Sequence, residues 1–438
     1  MHRKTKQIWW KNFLIMLVFI CAVLLVGCFP TRKKTVLTFG MFAGNQWDAP
    51  NDDCYKIIDE TINQFEKKYP GVEVNYVSGI LKEDYSEWLS QSALRGELPD
   101  VFMVLPEDFP TFASVGILKN LDTMIDADTS FHRDSFYPAC YEAGQFSDSQ
   151  YALPYESVPR LMLMNKTLLE KEKIPLPEQD WTWEDFYAIC KAVTKDTDHD
   201  GKTDQFGVYD YTWLDAVYSN GGELFDEETQ VCKLTDSKVE RSILFSREIY
   251  RLSGYESSAP EDFDLGKTAF RPMSFTEFRI YKPYPWKINK YFDFQWDCIR
   301  LPSGPDGENL SETDTLLMGI NAKSSHGILA WNFLKELTYC EQVQQKVFQY
   351  SRGVSPLKTV TFSENTRKLM EESIGDTIVE PDFLNEVMEH AAKKENIRDY
   401  DTILQYMDGE ILKLIVEDED FDSGMQKLKK TVDKMLRE

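Results

Sequence analysis

Hydrophobic positions after residue 35 fall into alternating blocks with periods near two and near 3.6. Val36–Phe42 (VLTFGMF) is an apolar run that predicts a buried strand. Over Asp53–Lys68 the residues Ile57, Ile58, Ile62 and Phe65 recur at helical spacing, and the pattern stops at Pro70-Gly71. Val72, Val74 and Tyr76 alternate through a second strand, Val72–Val77. Glu83–Arg95 reads as a second helix and Val101–Leu105 as a third strand. Strand, helix, strand, helix, strand predicts a parallel sheet with crossover helices, so this part of the chain is α/β.

The pattern changes at Tyr151. Tyr151–Asn165 (YALPYESVPRLMLMN) is a long extended stretch, strand-like over Leu161–Met164. Trp181-Thr182-Trp183-Glu184-Asp185 opens a helix in which Thr182 and Asp185 fit a capping box. A charged loop spans Asp196–Asp204, and Leu214–Asn220 reads as helix before the Gly221-Gly222 turn. Residues 236–252 and 326–349 are further helices, and 361–438 is almost wholly helical in pattern. No internal repeat or low-complexity segment interrupts them.

The first residues change where the chain is expected to act. Phe13–Val26 is an unbroken apolar run of 14 residues behind Arg3, Lys4, Lys6 and Lys11. At about 1.5 Å per residue it spans roughly 21 Å, short of a bilayer core of about 30 Å. That length suits the apolar region of a secretory signal. The run ends in Leu25-Val26-Gly27-Cys28, which resembles the lipobox of bacterial lipoproteins. The resemblance implies that residues 1–27 are a lipoprotein signal peptide and that Cys28 becomes the lipidated first residue. Residues 28–35 would then be a tether at the extracellular face of the cell membrane. The alternative is an uncleaved anchor in which Cys28 is incidental.

Charge narrows the partners. The formal net charge is −24, and without residues 1–27, which hold four Lys/Arg and no Asp/Glu, it is −28. Such a surface repels phosphate backbones and argues against nucleic acid. Cys54, Cys140, Cys190, Cys232, Cys298 and Cys340 form no CxxC pair and mostly sit beside apolar neighbours, so buried thiols are expected. With five His residues a zinc site is not expected.

Several phrases, in order, resemble the family 1 extracellular solute-binding proteins of ABC importers, the maltose-binding type. They begin with Leu98-Pro99-Asp100-Val101-Phe102, Tyr151-Ala152-Leu153-Pro154, Asn165-Lys166 and Trp181-Thr182-Trp183-Glu184-Asp185-Phe186. They continue with Gly221-Gly222, Gly266-Lys267-Thr268-Ala269-Phe270, Leu301-Pro302-x-Gly304-Pro305-x-Gly307, Ala330-Trp331-x-Phe333 and Gly353-Val354-Ser355-Pro356. The likeness covers roughly residues 36–357. It implies a two-lobe, periplasmic-binding-protein-like fold (type II), α/β in both lobes, with ligand in the interlobe cleft. The lobes would be 36–155 plus 318–352 and 156–317 plus 353–438. It also implies a monomer that hands a mono- or oligosaccharide to the permease subunits of an ABC importer. The chain departs from the family at Phe270, where Met is usual, and in the aromatic segment after it.

A sugar presents apolar C–H faces and rings of hydroxyls, which aromatic rings, carboxylates, amides and Arg recognise. The loop after the first strand, where open α/β sheets place ligands, offers Asn45 and Trp47, though Trp47 alone could simply pack the loop. Asp100 stands in a family phrase, with capping of a turn as its structural role. Glu156 lies at the lobe crossover. Trp213 stands where the second lobe tends to offer a platform, with a core role as the alternative. Phe275, Glu277 and Arg279 follow the Gly-Lys-Thr-Ala phrase, where the family places an aromatic contact. Arg352, beside the third crossover, could reach ligand or a structural carboxylate.

Asp196, Asp198, Asp200, Lys202 and Asp204 match positions 1, 3, 5, 7 and 9 of an EF-hand loop, with Gly201 at the sharp turn. Position 12 is Gly207 rather than Glu, so a structural Ca2+ is an expectation with a solvated acidic turn as its alternative. No cofactor is required. No GxSxG, HExxH, Walker A or Rossmann glycine motif is present, so an enzyme is not expected, a glycoside hydrolase being the weaker possibility. The same fold would also serve a protein that binds a non-sugar solute, or one that presents its ligand to a membrane sensor.

Overall fold

The computed structural model describes residues 34–44, 53–77, 79–253, 258–280, 294–374, 381–417 and 420–437. Residues 1–27 and Cys28 lie outside the described residues, as do Asn45 and Trp47. Strand β1 (Thr35–Gly40) is flanked in parallel by β2 (Val72–Val77) and β3 (Val101–Val104). The connections are α1 (Cys54–Lys68) and α2 (Lys82–Arg95). Helix α1 turns Ile57, Ile58, Ile62 and Phe65 into the core, the face its sequence period predicts. Helix α2 stops because Gly96 adopts a φ of 71°, which lets the amides of Gly96 and Glu97 close onto the carbonyls of Ala93 and Ser92.

Strand β4 (Ala152–Asn165) organises the remainder. Its 14 residues are all buried except Arg160, which is partly exposed. At about 3.3 Å per residue such a strand reaches roughly 46 Å, long enough to serve two lobes. The later strands are β5 (Phe206–Val208), β6 (Thr268–Ser274), β7 (Trp296–Ile299), β8 (Glu312–Ile320) and β9 (Ala392–Lys393). The first half of β4 runs antiparallel to β8; its second half has β6 on one side and β7 on the other. One nine-stranded sheet results, ordered β2-β1-β3-β8-β4-β6-β5, with β7 on β4 and β9 on β8.

Helices clothe each half. In the second lobe α3 (Trp183–Val193) packs on β5, α5 (Ser237–Leu252) packs on α3 and on α4 (Trp213–Ser219), and α6 (Phe275–Ile280) follows β6 directly. The chain returns to the first lobe as α7 (Gly327–Thr338) and α8 (Glu341–Tyr350), both against α1. It ends on the second lobe with α9 (Tyr400–Val416) and α10 (Phe421–Met435). There Ile403, Met407, Ile411 and Val432 share a core with Trp213, Val217, Val239 and Ile243. A separate second-lobe core gathers Trp181, Phe186, Phe270 and Leu301.

Two expectations are corrected. The tail is not wholly helical: Ala392–Lys393 adds a parallel strand to β8, and the Ala392 amide donates to Ser311 carbonyl at 2.9 Å. The second lobe also does not resume at residue 353. Val354, Leu357, Val360, Leu384 and Met388 are buried in one core with Phe39, Phe136 and Leu153 of the first lobe. The Tyr137 amide donates to the carbonyl of Pro356 at 3.0 Å, and its hydroxyl to Asn385 at 2.9 Å. The chain therefore changes lobe near β9, because the apolar residues of 354–388 have their partners in the first lobe. The six cysteines carry no disulfide, and all but the half-buried Cys340 are buried.

The capping box at the start of α3 is present: Asp185 accepts from Thr182 backbone and hydroxyl at 2.9 and 2.7 Å, and its amide returns a bond to Thr182 Oγ1. Thr182→Ala is expected to lower stability by about 1 kcal/mol in urea unfolding, with Thr182→Ser retaining most of it. Equal stability of the alanine variant and the parent contradicts that role.

Candidate ligand-binding cleft

The period of two along β4 puts Glu156, Val158 and Arg160 on one face, and the register with β8 sets Asp314 opposite Val158 and Leu316 opposite Glu156. Val158, Arg160 and Asp314 form the floor between the lobes. Above it lies a cavity of about 380 Å³. The first lobe contributes Lys82, Pro106 and Glu107, which follow β2 and β3 in the chain. The second lobe contributes Ser274 at the end of β6, and the segment Lys394–Asp401 closes the side beyond β9.

Arg160 is fixed from beneath. Its Nε stands 2.6 Å from Asp215 and its Nη2 3.2 Å from Asp210, whose carbonyl also accepts at 2.9 Å. Burial works against the guanidinium charge, but Asp215 and then Asp210 outweigh it and hold the group charged. Asp215 has a second task, since it accepts from the Thr212 amide and hydroxyl, both at 2.9 Å, in the capping box of α4. One carboxylate thus starts a helix of the second lobe and anchors the cation of the floor. Lys394 pairs with Asp314 at 3.3 Å. Glu395 accepts from the Leu224 amide at 2.7 Å.

Glu312 is less well provided for. Its Oε2 is buried with no hydrogen-bond donor among the described residues. Burial raises its carboxyl above the ordinary range, Asp314 and Asp215 add to the rise, and Lys394 and Arg160 oppose it. Burial also raises Glu107, reinforced by Asp401, Asp108 and Asp314.

The residues named from sequence divide into groups. Glu156, Phe275, Arg279 and Arg352 come together at the end of the floor beside residues 348–353. Glu156, 2 % exposed, accepts from the Gly353 amide at 2.6 Å and from the Ser351 hydroxyl. Gly353 is required there, because a Cβ would lie 2.4 Å from the Glu156 carboxylate. Arg279 reaches across from α6 and donates to the carbonyls of Phe348, Ser351 and Gly353 at 2.7, 3.0 and 3.4 Å. Burial, with Arg352 beside it and Glu156 opposing, lowers its pKa to about 10. The Arg352 Nε is buried without a hydrogen-bond partner among the described residues. Phe275 is fully buried against Phe278 and Phe348.

Three residues do other work. Glu277 closes the first turn of α6 by accepting from the Ser274 amide and hydroxyl at 2.7 and 2.9 Å. Asp100 stands at the opposite end of β3 from the cavity. Its carboxylate accepts from the Thr38 amide and hydroxyl at 2.9 Å and from Ser324 at 2.5 Å, so it ties β1 to the loop after β8. Those bonds hold it below the usual carboxylate range despite burial. Trp213 is a core residue, 6 % exposed, whose indole donates to Asp408 at 2.7 Å beside a separate second-lobe cavity. It is not a platform in the cleft. Sequence reasoning missed Glu107, Arg160, Glu312, Asp314 and Lys394. Arg160 carried a signal, being the one charged residue in the second half of the crossing strand.

The family described as bacterial extracellular solute-binding protein matches residues 48–339. The chain belongs to that family. It is therefore a binding protein, not an enzyme. Among solved structures it is similar to the sugar-binding protein MalE from the phytopathogen Xanthomonas citri, at a TM-score of 0.75 and 16% identity, covering 92% of this chain and 98% of that one. It is also similar to the cyclic alpha-maltosyl-1,6-maltose binding protein from Arthrobacter globiformis, with a TM-score of 0.74, 16% identity and coverage of 92% and 99%. These likenesses establish the two-lobe fold. A curated relative from Streptomyces antibioticus, an uncharacterized lipoprotein in the oleD 5' region, is 24% identical over 313 residues. The match covers 66% of this chain and 64% of that relative's length.

On the flank of this solute-binding protein, carboxylate oxygens of Asp196, Asp198 and Asp200 lie within 4.8 Å of one another. The amides of His199 and Gly201 donate to Asp196 at 2.7 and 2.8 Å, and that of Lys202 to Asp200 at 2.8 Å. Asp204 turns away and accepts from Thr197. Gly207, at the twelfth position, packs on Cys190, where a Cβ would come within 2.5 Å. Three converging carboxylates fit a calcium ion; the twelfth position offers none.

The raised carboxyl of Glu312 has a consequence for stability. A group whose pKa is higher folded than unfolded stabilises the protein below its unfolded value, and that contribution is lost as pH rises through the folded value. Glu312→Gln is therefore expected to raise the melting temperature of the ligand-free solute-binding protein at neutral pH. The gain should fade as pH falls through the raised value. A variant that melts lower than the parent at neutral pH contradicts this reading.

Proposed function

We propose that this chain is a lipoprotein anchored through Cys28 outside the cell membrane, where it captures a mono- or oligosaccharide and delivers it to an ABC permease. The carrying observation is the cavity of about 380 Å³ between two lobes that share β4 and β8, floored by carboxylates and an Arg and edged by Tyr400. Carboxylates accept from sugar hydroxyls, a fixed guanidinium donates to them, and an aromatic edge suits a C–H face. Solved relatives of the same fold are described as binding maltose-type sugars or cycloalternan, which supports the ligand class. Lobes joined by continuous strands can rotate about them, so that ligand drawn between the walls favours a closed form. The permease then has a ligand-dependent surface to recognise. The protein acts as a monomer in this scheme, and the Asp196 loop holds a calcium ion as a structural staple.

A soluble form beginning after Cys28 tests the reading. Its melting temperature should rise saturably with one or more mono- or oligosaccharides, by about 2.7 kcal/mol of added stability at a hundredfold excess over Kd. The sugar should be recovered unchanged. Absence of a shift across a broad sugar panel contradicts the ligand class, and cleaved sugar contradicts the binding role. Calcium should raise the same melting temperature in the absence of sugar, and Asp198→Asn should reduce the effect. A melting temperature indifferent to calcium and chelator overturns the staple.

A further inference from the structure

The charges around the cavity are not balanced, and the imbalance points to the kind of sugar. Among the described residues the lining holds five carboxylates, Glu107, Glu312, Asp314, Glu395 and Asp401, against three cations, Lys82, Arg160 and Lys394. Two of those cations are neutralised within the protein. Arg160 stands between Asp215 and Asp210, which lie outside the lining, and Lys394 stands on Asp314. Glu395 is occupied by the Leu224 amide. Glu107, Glu312 and Asp401 face the same space, together with Lys82.

Two further observations bear on the same array. The Glu312 Oε2 is buried without a donor, and Thr313, 2 % exposed, lines the cavity with its Oγ1 unpartnered among the described residues. The carboxyls of Glu107 and Glu312 are also both raised, by burial first and then by the acids around them, in spite of Lys394 and Arg160 near Glu312. A neutral hydroxyl can donate to these oxygens but leaves their mutual repulsion in place. An ammonium group brings three donors and a compensating charge. A phosphate or carboxylate on the ligand meets like charge instead. A linear polyamine supplies charge but has no hydroxyl for Thr313.

We propose that the cleft selects a sugar carrying a protonated amine, seated among Glu107, Glu312 and Asp401. This rests on the sugar-capture reading above and adds the charge of the ligand to it. An acetylated amine loses the charge and keeps the ring, so the comparison between free and acetylated amino sugars isolates the effect.

Calorimetric titration of the soluble form at neutral pH provides the test. The probes are glucosamine oligomers, their N-acetylated counterparts, neutral gluco-oligomers, oligouronates and spermidine. The free amine is expected to bind about tenfold more tightly than its acetylated counterpart, the gain from making hydrogen bonds to charge rather than to neutral groups. Oligouronates should not bind. Glu312→Gln and Glu107→Gln should each reduce the preference for the free amine over its acetylated counterpart, and an unchanged circular dichroism spectrum shows that the variants are folded. Equal affinity for free and acetylated amines overturns the proposal and leaves sugar capture standing, as does tight binding of oligouronates. Spermidine binding more tightly than every amino sugar overturns both the amino-sugar assignment and sugar capture. Failure of every sugar, charged or neutral, overturns them as well.

Discussion

Strand β4 is shared by the two lobes, and its backbone ladder is the constraint on which the other parts depend. Its first half is committed to β8 and its second to β6 and β7, so neither lobe can complete its sheet without it. Thirteen of its residues are buried and one is not, and the exception is Arg160 at the junction. A cation at that depth is stable only if it is paired, and Asp215 and Asp210 pair it from the second lobe. Because Asp215 is also the capping residue of α4, the position of the floor cation is set by the start of a helix rather than by a loose surface contact.

The other end of the floor is closed by a different device. Arg279, carried by the second lobe, donates to three carbonyls at the C-terminal end of α8 in the first lobe. A helix C-terminus presents unpaired carbonyls and a partial negative charge, so a buried guanidinium suits it. Glu156 reaches the same turn from β4 through Ser351 and the Gly353 amide. The lobes are therefore tied together beside the crossing strands and separated by a cavity farther along. In the proposed closure, rotation about the tied end would change the width of the cavity while sparing the ladder.

Much of this architecture is legible in the sequence, because helix and strand periods are local properties. The β1-α1-β2-α2-β3 order follows from Ile57, Ile58, Ile62 and Phe65 at one spacing and Val72, Val74 and Tyr76 at another. The capping boxes at Thr182 and Thr212 are likewise set by residues three apart. The site is less legible. Its floor pairs residue 158 with 314 and its side comes from 394–401, so the partners are fixed by strand register across the chain rather than by spacing. β9 has two residues and no period to read. Trp213 and Asp100 looked suited to ligand by residue type, and their partners Asp408 and Thr38 are what assign them to packing.

The central claim is that ligand is held between the lobes on the β4–β8 floor rather than in the second-lobe cavity beside Trp213. Amide hydrogen exchange with and without a bound sugar separates the two directly. Slower exchange in peptides covering 312–317 and 394–401, with 206–213 and 408–415 unchanged, is the predicted result. Protection confined to 206–213 and 408–415 would place the ligand inside the second lobe and contradict the account.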